Sequence, residues 1–341
     1  MVAEPGSRWE FNTKNRAECP DEVADVLRWV ERNTKPVSVL NDLAVVRAML
    51  DAAATRINGD LAAPSSVQRN RAILHHVCEY AVDTGALDNN PVKTAKWKAR
   101  KGSVEVDRRS VVNHAQARQL LEAIGQQRPS GNRLIAFFAV IYYAGLRPEE
   151  AVNLRTDNVT LPPFVWDDGG GRWQPPADDW GELRFCLAAP EVGAEWTDDG
   201  AIREHRRLKG RGEGEWRRVP CAPPLTRILR AHLADVGPGP GGRLFWGVRG
   251  GELASTTYRR AWDRAREKAL SAAEYASPLA RRPYDLRHAC VSTWLNGGVP
   301  AAQVAEWAGH SVEVLLRVYA KCIDGQDETA RRRIEQALRD G

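Results

Sequence analysis

A small set of side chains in this sequence could act together on a phosphodiester. Tyr319 stands nine positions after His310, which sits in the turn Gly309–Ser311. Arg287 lies in the stretch PYDLRHACVSTWL that begins at Pro283. Far upstream are Arg147, in GLRPEEAV, and Lys209, in LKGRGEGEW. Breaking a phosphodiester needs positive donors on the two non-bridging oxygens, where charge builds in the transition state. Arg147 and Arg287 fit that need, because a planar guanidinium matches phosphate bidentately. Glu150, one turn after Arg147, can fix its guanidinium. Tyr319 would supply a nucleophile and leave a covalent phosphotyrosine. Lys209 would protonate the leaving 5′-oxygen. Singly each residue has a plainer reading: Arg287 as an ordinary surface or ion-paired arginine, Arg147 as an unremarkable residue at a helix start, His310 as a loop histidine, Tyr319 as core filler beside Leu315, Leu316 and Val318. The combination is what points to chemistry. The sequence has no P-loop, no carboxylate cluster and no Cys/His group at zinc spacing, so the expected chemistry calls for no metal and no cofactor.

These residues need elements to hold them. Asp285 is placed to cap a helix that carries Arg287 and His288 in its first turn and ends at Gly297-Gly298. Pro300–Ala308 is a second helix, closed by Gly309, and Ser311 caps a third that carries Tyr319 two turns in. His288 lies about 100° around its helix from Arg287, so it is expected to point elsewhere. Upstream, Ala115–Ile124 is amphipathic and Arg133–Ala144 is nearly all apolar, which predicts a buried helix. Gly145-Leu146 breaks it, and Arg147-Pro148-Glu149-Glu150 opens another, with proline and acidic residues where a first turn favours them. A helix start at Arg147 would also favour an anion. Residues 161–207 are rich in proline, glycine and tryptophan (Trp166, Trp173, Trp180, Trp196) and hold short β-like runs such as Glu182–Ala188. They predict an elaborated hairpin; exposed aromatics there would suit contact with DNA or a neighbouring subunit. Residues 209–214 form a turn and Glu215–Cys221 a returning strand, which puts Lys209 near a β-hairpin tip. Leu225–Leu233 and Thr256–Leu270 are helical, and Asp327–Asp340 is a short amphipathic helix with Ala330, Ile334, Ala337 and Leu338 on one face.

Ahead of this region lies an all-helical unit. Its helices are expected from Asp21, over Val39–Ala54, and from the caps Ser65 and Ser66 to Gly85, with Asp88-Asn89-Asn90-Pro91 closing the unit. Lys93–Ser110 lacks a buried stripe and is dense in basic residues. It reads as a solvated linker whose Lys93, Lys96, Lys98, Arg100, Lys101, Arg108 and Arg109 can follow a phosphate backbone.

At 341 residues the chain is long enough for two domains. Apolar content is 43%, charged content 27% and net charge +5, a mild basic bias that permits a polyanion partner without requiring one. No apolar run reaches membrane-spanning length and no apolar signal core opens the chain, which predicts a cytoplasmic protein with no membrane partner, nucleoid-associated if it acts on DNA. Its six cysteines are scattered and read as reduced thiols, several in the core.

The motifs YAGLRPEEAVNL (Tyr143–Leu154), LKGRGEGEWRRVP (Leu208–Pro220), YDLRH (Tyr284–His288), GHS (Gly309–Ser311) and LLRVYA (Leu315–Ala320) resemble, in order and spacing, the tyrosine recombinase (phage integrase) family, particularly integrases of actinobacterial mobile elements. The resemblance covers about residues 20–330. It implies a mainly α fold with a small β-sheet: a flexible lead-in at 1–19, a helical core-site DNA-binding domain at 20–92, a basic linker at 93–110, an α+β catalytic domain at 111–326, and a C-terminal helix at 327–341 that docks on a neighbouring subunit. The two domains would clamp a duplex. The implied activity is site-specific recombination of double-stranded DNA attachment sites through a 3′-phosphotyrosine, by a homotetramer, with an excisionase or a host DNA-bending protein as candidate accessory partner. The implied catalytic set is Tyr319, Arg147, Lys209, Arg287, His310 and Glu150. The sequence departs from the family at Tyr284, where a histidine is usual; a phenol is a poor base near neutral pH but a good hydrogen-bond donor. Residues 1–19 are also too short for the arm-binding domain that many integrases carry, so either this protein works without one or the chain is a shortened form. Rival readings are type IB topoisomerase-like relaxation and a catalytically inactive DNA-binding regulator.

Overall fold

The computed structural model describes residues 19–98, 105–176, 178–197, 200–209, 212, 214–322 and 326–339. Arg100, Lys101 and nearly all of the lead-in lie outside the described residues. The chain divides into two compact units, 1–104 and 105–341.

The first unit contains α1 (Asp21–Asn33), α2 (Leu43–Ala53), α3 (Pro64–Asp83) and α4 (Pro91–Thr94). Its core is Val46, Leu50, Cys78, Val92 and Ala95. The sequence pattern ran one helix over Val39–Ala54, but Val37–Asn41 is a 3-10 turn and Asp42 starts α2 afresh, its carboxylate accepting from the Ala44 N–H at 2.8 Å. Ser65 and Ser66 are not caps; α3 begins at Pro64, whose fixed φ suits a first helical position. Asp21 likewise lies inside α1 rather than capping it. Asn90 caps α4 by accepting from the Val92 N–H at 3.0 Å, and Trp97 Nε1 donates to Asp51 at 2.7 Å, which ties residues just beyond α4 to this unit.

The second unit is built around α6 (Gly131–Ala144), buried along nearly its whole length. Against it pack α5 (His114–Gly125), α8 (Pro223–Asp235) and α11 (Asp285–Asn296). Phe137 and Phe138 meet edge to face at the centre, with Phe245, Tyr258 and Trp262 around them. The Asn113 side chain and Gln116 close a capping box on α5, so the helix starts at His114, one residue before the expected Ala115. Gly145 ends α6 at φ +60, the left-handed region that glycine occupies at no steric cost. Trp294 lies 3.2 Å from where its Cβ would be. That turn delivers Arg147 to the start of the five-residue helix α7 (Pro148–Val152).

A three-stranded antiparallel sheet follows, formed by β1 (Val159–Thr160), β4 (Gly181–Phe185) and β7 (Arg217–Cys221), in the order β1-β4-β7. Between β1 and β4 a short hairpin, β2 (Val165–Asp167) with β3 (Arg172–Gln174), pairs Trp166 with Trp173. Trp166, Trp173, Trp180 and Trp196 are all exposed, so the tryptophan-rich insertion keeps these aromatics outside the core.

The hairpin expected around Lys209 takes a different form. β6 (Arg206–Arg207) pairs with β5 (Leu187–Ala188), Leu208 N–H donates to Cys186 O at 3.3 Å, and β7 pairs with β4. Residues on both sides of Lys209 therefore run antiparallel to the one stretch 181–188. Lys209 does not crown a hairpin, because the strands on its two sides, β6 and β7, pair with β5 and β4 and not with each other. The remaining helices are α9 (Ser255–Ala269), α10 (Ala272–Ala276), α12 (Ala301–Ala308), α13 (Val312–Tyr319) and α14 (Gln326–Arg339).

Candidate active site

Glu150 is the hub. It is the third residue of α7, 1% exposed, and reaches back to its own helix start: Arg147 N–H donates to Oε2 at 2.7 Å and Arg147 Nη1 to Oε1 at 2.7 Å. Arg217 of β7 grips the same carboxylate with both amino groups, Nη1 to Oε1 at 2.8 Å and Nη2 to Oε2 at 2.5 Å. Arg287 Nη1 comes within 3.8 Å of Oε2. Burial alone would raise the Glu150 carboxyl, but Arg217, Arg287 and Arg147 hold it down to about 2. Three guanidinium groups around one carboxylate leave a net positive cluster, which suits an incoming anion.

Arg217 was not singled out from sequence. The signal was there: strand alternation puts Arg217 on the same face as Val219 and Cys221, and all three are buried. An arginine on a buried strand face requires an acidic partner. Gly309 accommodates this arginine. It sits at φ +64 at the end of α12, and a Cβ there would lie 2.5 Å from Arg217 Nη1.

Arg287, on α11, is fully buried. It donates to the carbonyls of Gly145 and Ala308, and its Nη2 donates to His310 Nε2 at 2.9 Å. A guanidinium can only donate, so His310 Nε2 accepts, and the proton of the neutral ring sits on Nδ1. Burial, then Arg287, Arg147 and Arg217, push His310 down to about 3. Its Nδ1 is buried and has no hydrogen-bond partner among the described residues. That N–H is a donor without an acceptor.

Arg147, Lys209, Tyr284, Gly309, His310 and Ser311 line one cleft of about 760 Å³, with Glu149 and Glu215 also on its wall. Arg147 Nη2 donates to Gly309 O at 3.1 Å, which locks the arginine to the turn that carries His310. Arg287 and Glu150 do not line the cleft; they lie one contact deeper.

Tyr319 does not line it either. Its side chain is fully buried at the end of α13, where Ser311 caps the helix by accepting from the Val314 N–H at 3.2 Å. Burial raises the phenol above its ordinary value, opposed by the nearby Arg287. The Tyr319 hydroxyl lies 2.9 Å from His288 Nδ1, and its ring centroid lies 6.2 Å from that of His310. His288, expected to point elsewhere, thus meets the candidate nucleophile. The turn that separates it from Arg287 rotates it toward α13, while Arg287 faces α7 and the turn after α12. Tyr284 meets the His288 ring edge to face at 5.1 Å. Asp285 also differs from expectation. It is the first residue of α11 and no cap; its buried carboxylate accepts from the Arg282 backbone at 2.8 Å and guanidinium at 2.9 Å.

Of the basic residues expected to follow DNA, Lys93 pairs with Glu79 at 2.9 Å and Arg109 with Asp107 at 2.8 Å. Lys96, Lys98 and Arg108 are exposed. On α14, Ile334 and Leu338 are exposed. Among the described residues no group of His, Cys, Asp and Glu could hold a metal ion, and no helix is long and apolar enough to cross a membrane.

The fold of the chain is that of the tyrosine recombinases. The Tn1549 transposon integrase bound to transposon right end DNA superimposes with a TM-score of 0.57 at 14% identity, covering 96% of each chain. The XerH site-specific recombinase bound to difH substrate matches with a TM-score of 0.51 at 16% identity, covering 87% of this chain and 70% of that one. In sequence, the tyrosine recombinase XerC of Corynebacterium efficiens is 33% identical over 131 residues, a match that spans 36% of this chain and 38% of that relative. No family model matches the chain. The chain thus shares the fold of these recombinases, and about a third of it is similar in sequence to one of them.

Proposed function

We propose that the protein is a site-specific DNA recombinase that cuts and rejoins strands through a 3′-phosphotyrosine. The observation that carries this reading is the cleft on which Arg147, Lys209 and His310 converge, backed by the buried Glu150–Arg217–Arg287 network and with Tyr319 packed beside it. A scissile phosphate in the cleft would take Arg147 on one non-bridging oxygen and, once the cleft opens onto it, the buried His310 Nδ1–H on the other. Arg287 then acts through His310, holding its tautomer, and through the charge of the cluster. Tyr319 Oη forms a bond to phosphorus, the bond to the 5′-oxygen breaks, and Lys209 gives that oxygen its proton. The 5′-hydroxyl of a partner duplex reverses these steps. Tyr319 is fully buried, so the cleft has to open onto it when DNA is loaded.

The substrate would be double-stranded attachment sites of a mobile element, with the protein acting on DNA in the cytoplasm as a homotetramer aided by an excisionase or a DNA-bending protein. Residues 20–92 would bind the core site and 111–326 catalyse, while Lys93, Lys96, Lys98, Arg100, Lys101, Arg108 and Arg109 at 93–110 contact the backbone. Exposed Ile334 and Leu338 on α14 would dock on a neighbouring subunit. The DNA-bound Tn1549 integrase and XerH supply support by analogy of fold. Two labelled duplexes bearing the same site should yield recombinant products with the wild-type protein. Supercoil relaxation without exchange would indicate a topoisomerase, and DNA binding with neither would indicate a regulator.

A further inference from the structure

We propose that His288 is the proton acceptor for Tyr319, a catalytic residue that takes up the work left open by the phenol at position 284. This rests on the reading of Tyr319 as the nucleophile. The contact itself is direct: His288 Nδ1 lies 2.9 Å from Tyr319 Oη, within the range for general-base transfer.

Three observations agree on the role. The first is ring state. Burial, with Arg282 and Arg287 adding to it and Asp285 opposing, lowers His288 to about 4, so the ring is neutral and keeps a lone pair at neutral pH. With the ring proton on Nε2, Nδ1 accepts from the phenol. The second is that His310 is already committed. Its Nε2 accepts from Arg287, so it has no free lone pair for Tyr319, although its ring lies close. The third is support for the ring: Tyr284 packs on His288 edge to face at 5.1 Å, and α11 and α13 share one core cluster through Val291, Leu295, Leu315 and Tyr319. Tyr284 thereby serves as a wall for the base, and its hydroxyl need not be one.

The balanced step is as follows. The Tyr319 O–H bond breaks and its proton moves to His288 Nδ1. The Oη–phosphorus bond forms, the phosphorus–O5′ bond breaks, and the 5′-oxygen receives a proton from Lys209. Religation returns the His288 proton to the phenolate as it leaves, so the pair is restored in each cycle.

His288→Asn tests this, because the asparagine Oδ1 falls near the place of Nδ1. It can accept the Tyr319 hydrogen bond but cannot carry the proton away. Cleavage is read as covalent protein–DNA adduct on two nicked duplexes, one with a normal phosphodiester and one with a 5′-bridging sulfur whose thiolate leaves without an acid. Expected are a loss of roughly 10²–10⁴-fold for His288→Asn on both substrates, and for Lys209→Ala a loss on the oxygen substrate that the sulfur substrate restores. Near wild-type rates for His288→Asn would overturn the proposal in favour of a purely structural contact. Faster cleavage would overturn it in favour of a latch that holds Tyr319 inside. If His288→Asn lowers the melting temperature or DNA affinity, the same readout is taken on His288→Ala with added imidazole: restored cleavage supports the proton acceptor, and no restoration overturns it. Failure of the wild-type protein to form adduct on either substrate would instead remove the recombinase reading itself.

Discussion

Glu150→Gln is the perturbation whose cost follows most closely from the geometry. The substitution keeps the side-chain volume and removes the carboxylate that, among the described residues, contacts Arg147, Arg217 and Arg287 together. Arg217 and Arg287 are essentially unexposed, so water cannot replace the lost charge. The new amide nitrogen would also face guanidinium donors where an acceptor stood. Removing one partner of a buried ion pair costs about 3–5 kcal/mol, because the remaining charge is left uncompensated. For a unit of this size that corresponds to a fall in melting temperature of roughly 6–20 °C. Thermal or guanidinium unfolding of the purified variant measures it. A companion cycle sharpens the cause. In the Glu150→Leu background, Arg217→Leu should cost much less than it does alone, giving a coupling of about 1.5 kcal/mol or more. A Glu150→Gln variant within 1 kcal/mol of wild type, or a cycle additive to within about 0.5 kcal/mol, would refute the buried hub.

Gly309→Ala should destabilise by about 1–3 kcal/mol, since it combines a left-handed φ of +64 with a Cβ at 2.5 Å from Arg217 Nη1; a wild-type urea midpoint would contradict that. Acid should weaken the fold in two stages. His288 and His310 are held at about 4 and about 3, below the ordinary ~6.5, so the unfolded chain binds protons first as pH falls from 6.5, and each ring removes up to ~1.4 kcal/mol per pH unit, less where water reaches it. Glu150, held at about 2 against ~4.3 unfolded, contributes stability that is present above pH ~4.3 and lost toward pH 2. Urea midpoints at pH 7.5 and 5.0 check the histidine part, and equal midpoints would contradict it. Tyr319→Phe should cost only about 0.5–1.5 kcal/mol, the worth of its hydrogen bond to His288, because the buried ring remains; a larger loss would mean the hydroxyl holds more of the core than His288 alone.

The helical elements were legible because their signals are local. The apolar run at 133–144 becomes the central buried helix, and Ser311, Gly145 and Gly309 do at the helix ends what their types suggest. What was not legible depends on contacts far apart in sequence. Arg217 meets Glu150 across 67 positions and His288 meets Tyr319 across 31, and no periodicity within either segment announces a partner. The lane around Lys209 was misread for a related reason. Turn residues mark where a chain leaves a strand, but which strand it pairs with on return is set by register over the distant stretch 181–188. Val39–Ala54 failed locally, since Asp42 as a helix cap competes with the helical period around it.

The most direct measurement is to trap the protein on a nicked duplex carrying its attachment site and to map the adduct by peptide mass spectrometry. A nucleotide joined through its 3′-phosphate to Tyr319, absent in Tyr319→Phe, is the expected result. Adduct on any other residue, adduct that persists in Tyr319→Phe, or none at all while the DNA stays bound would contradict the assignment of Tyr319 as the nucleophile.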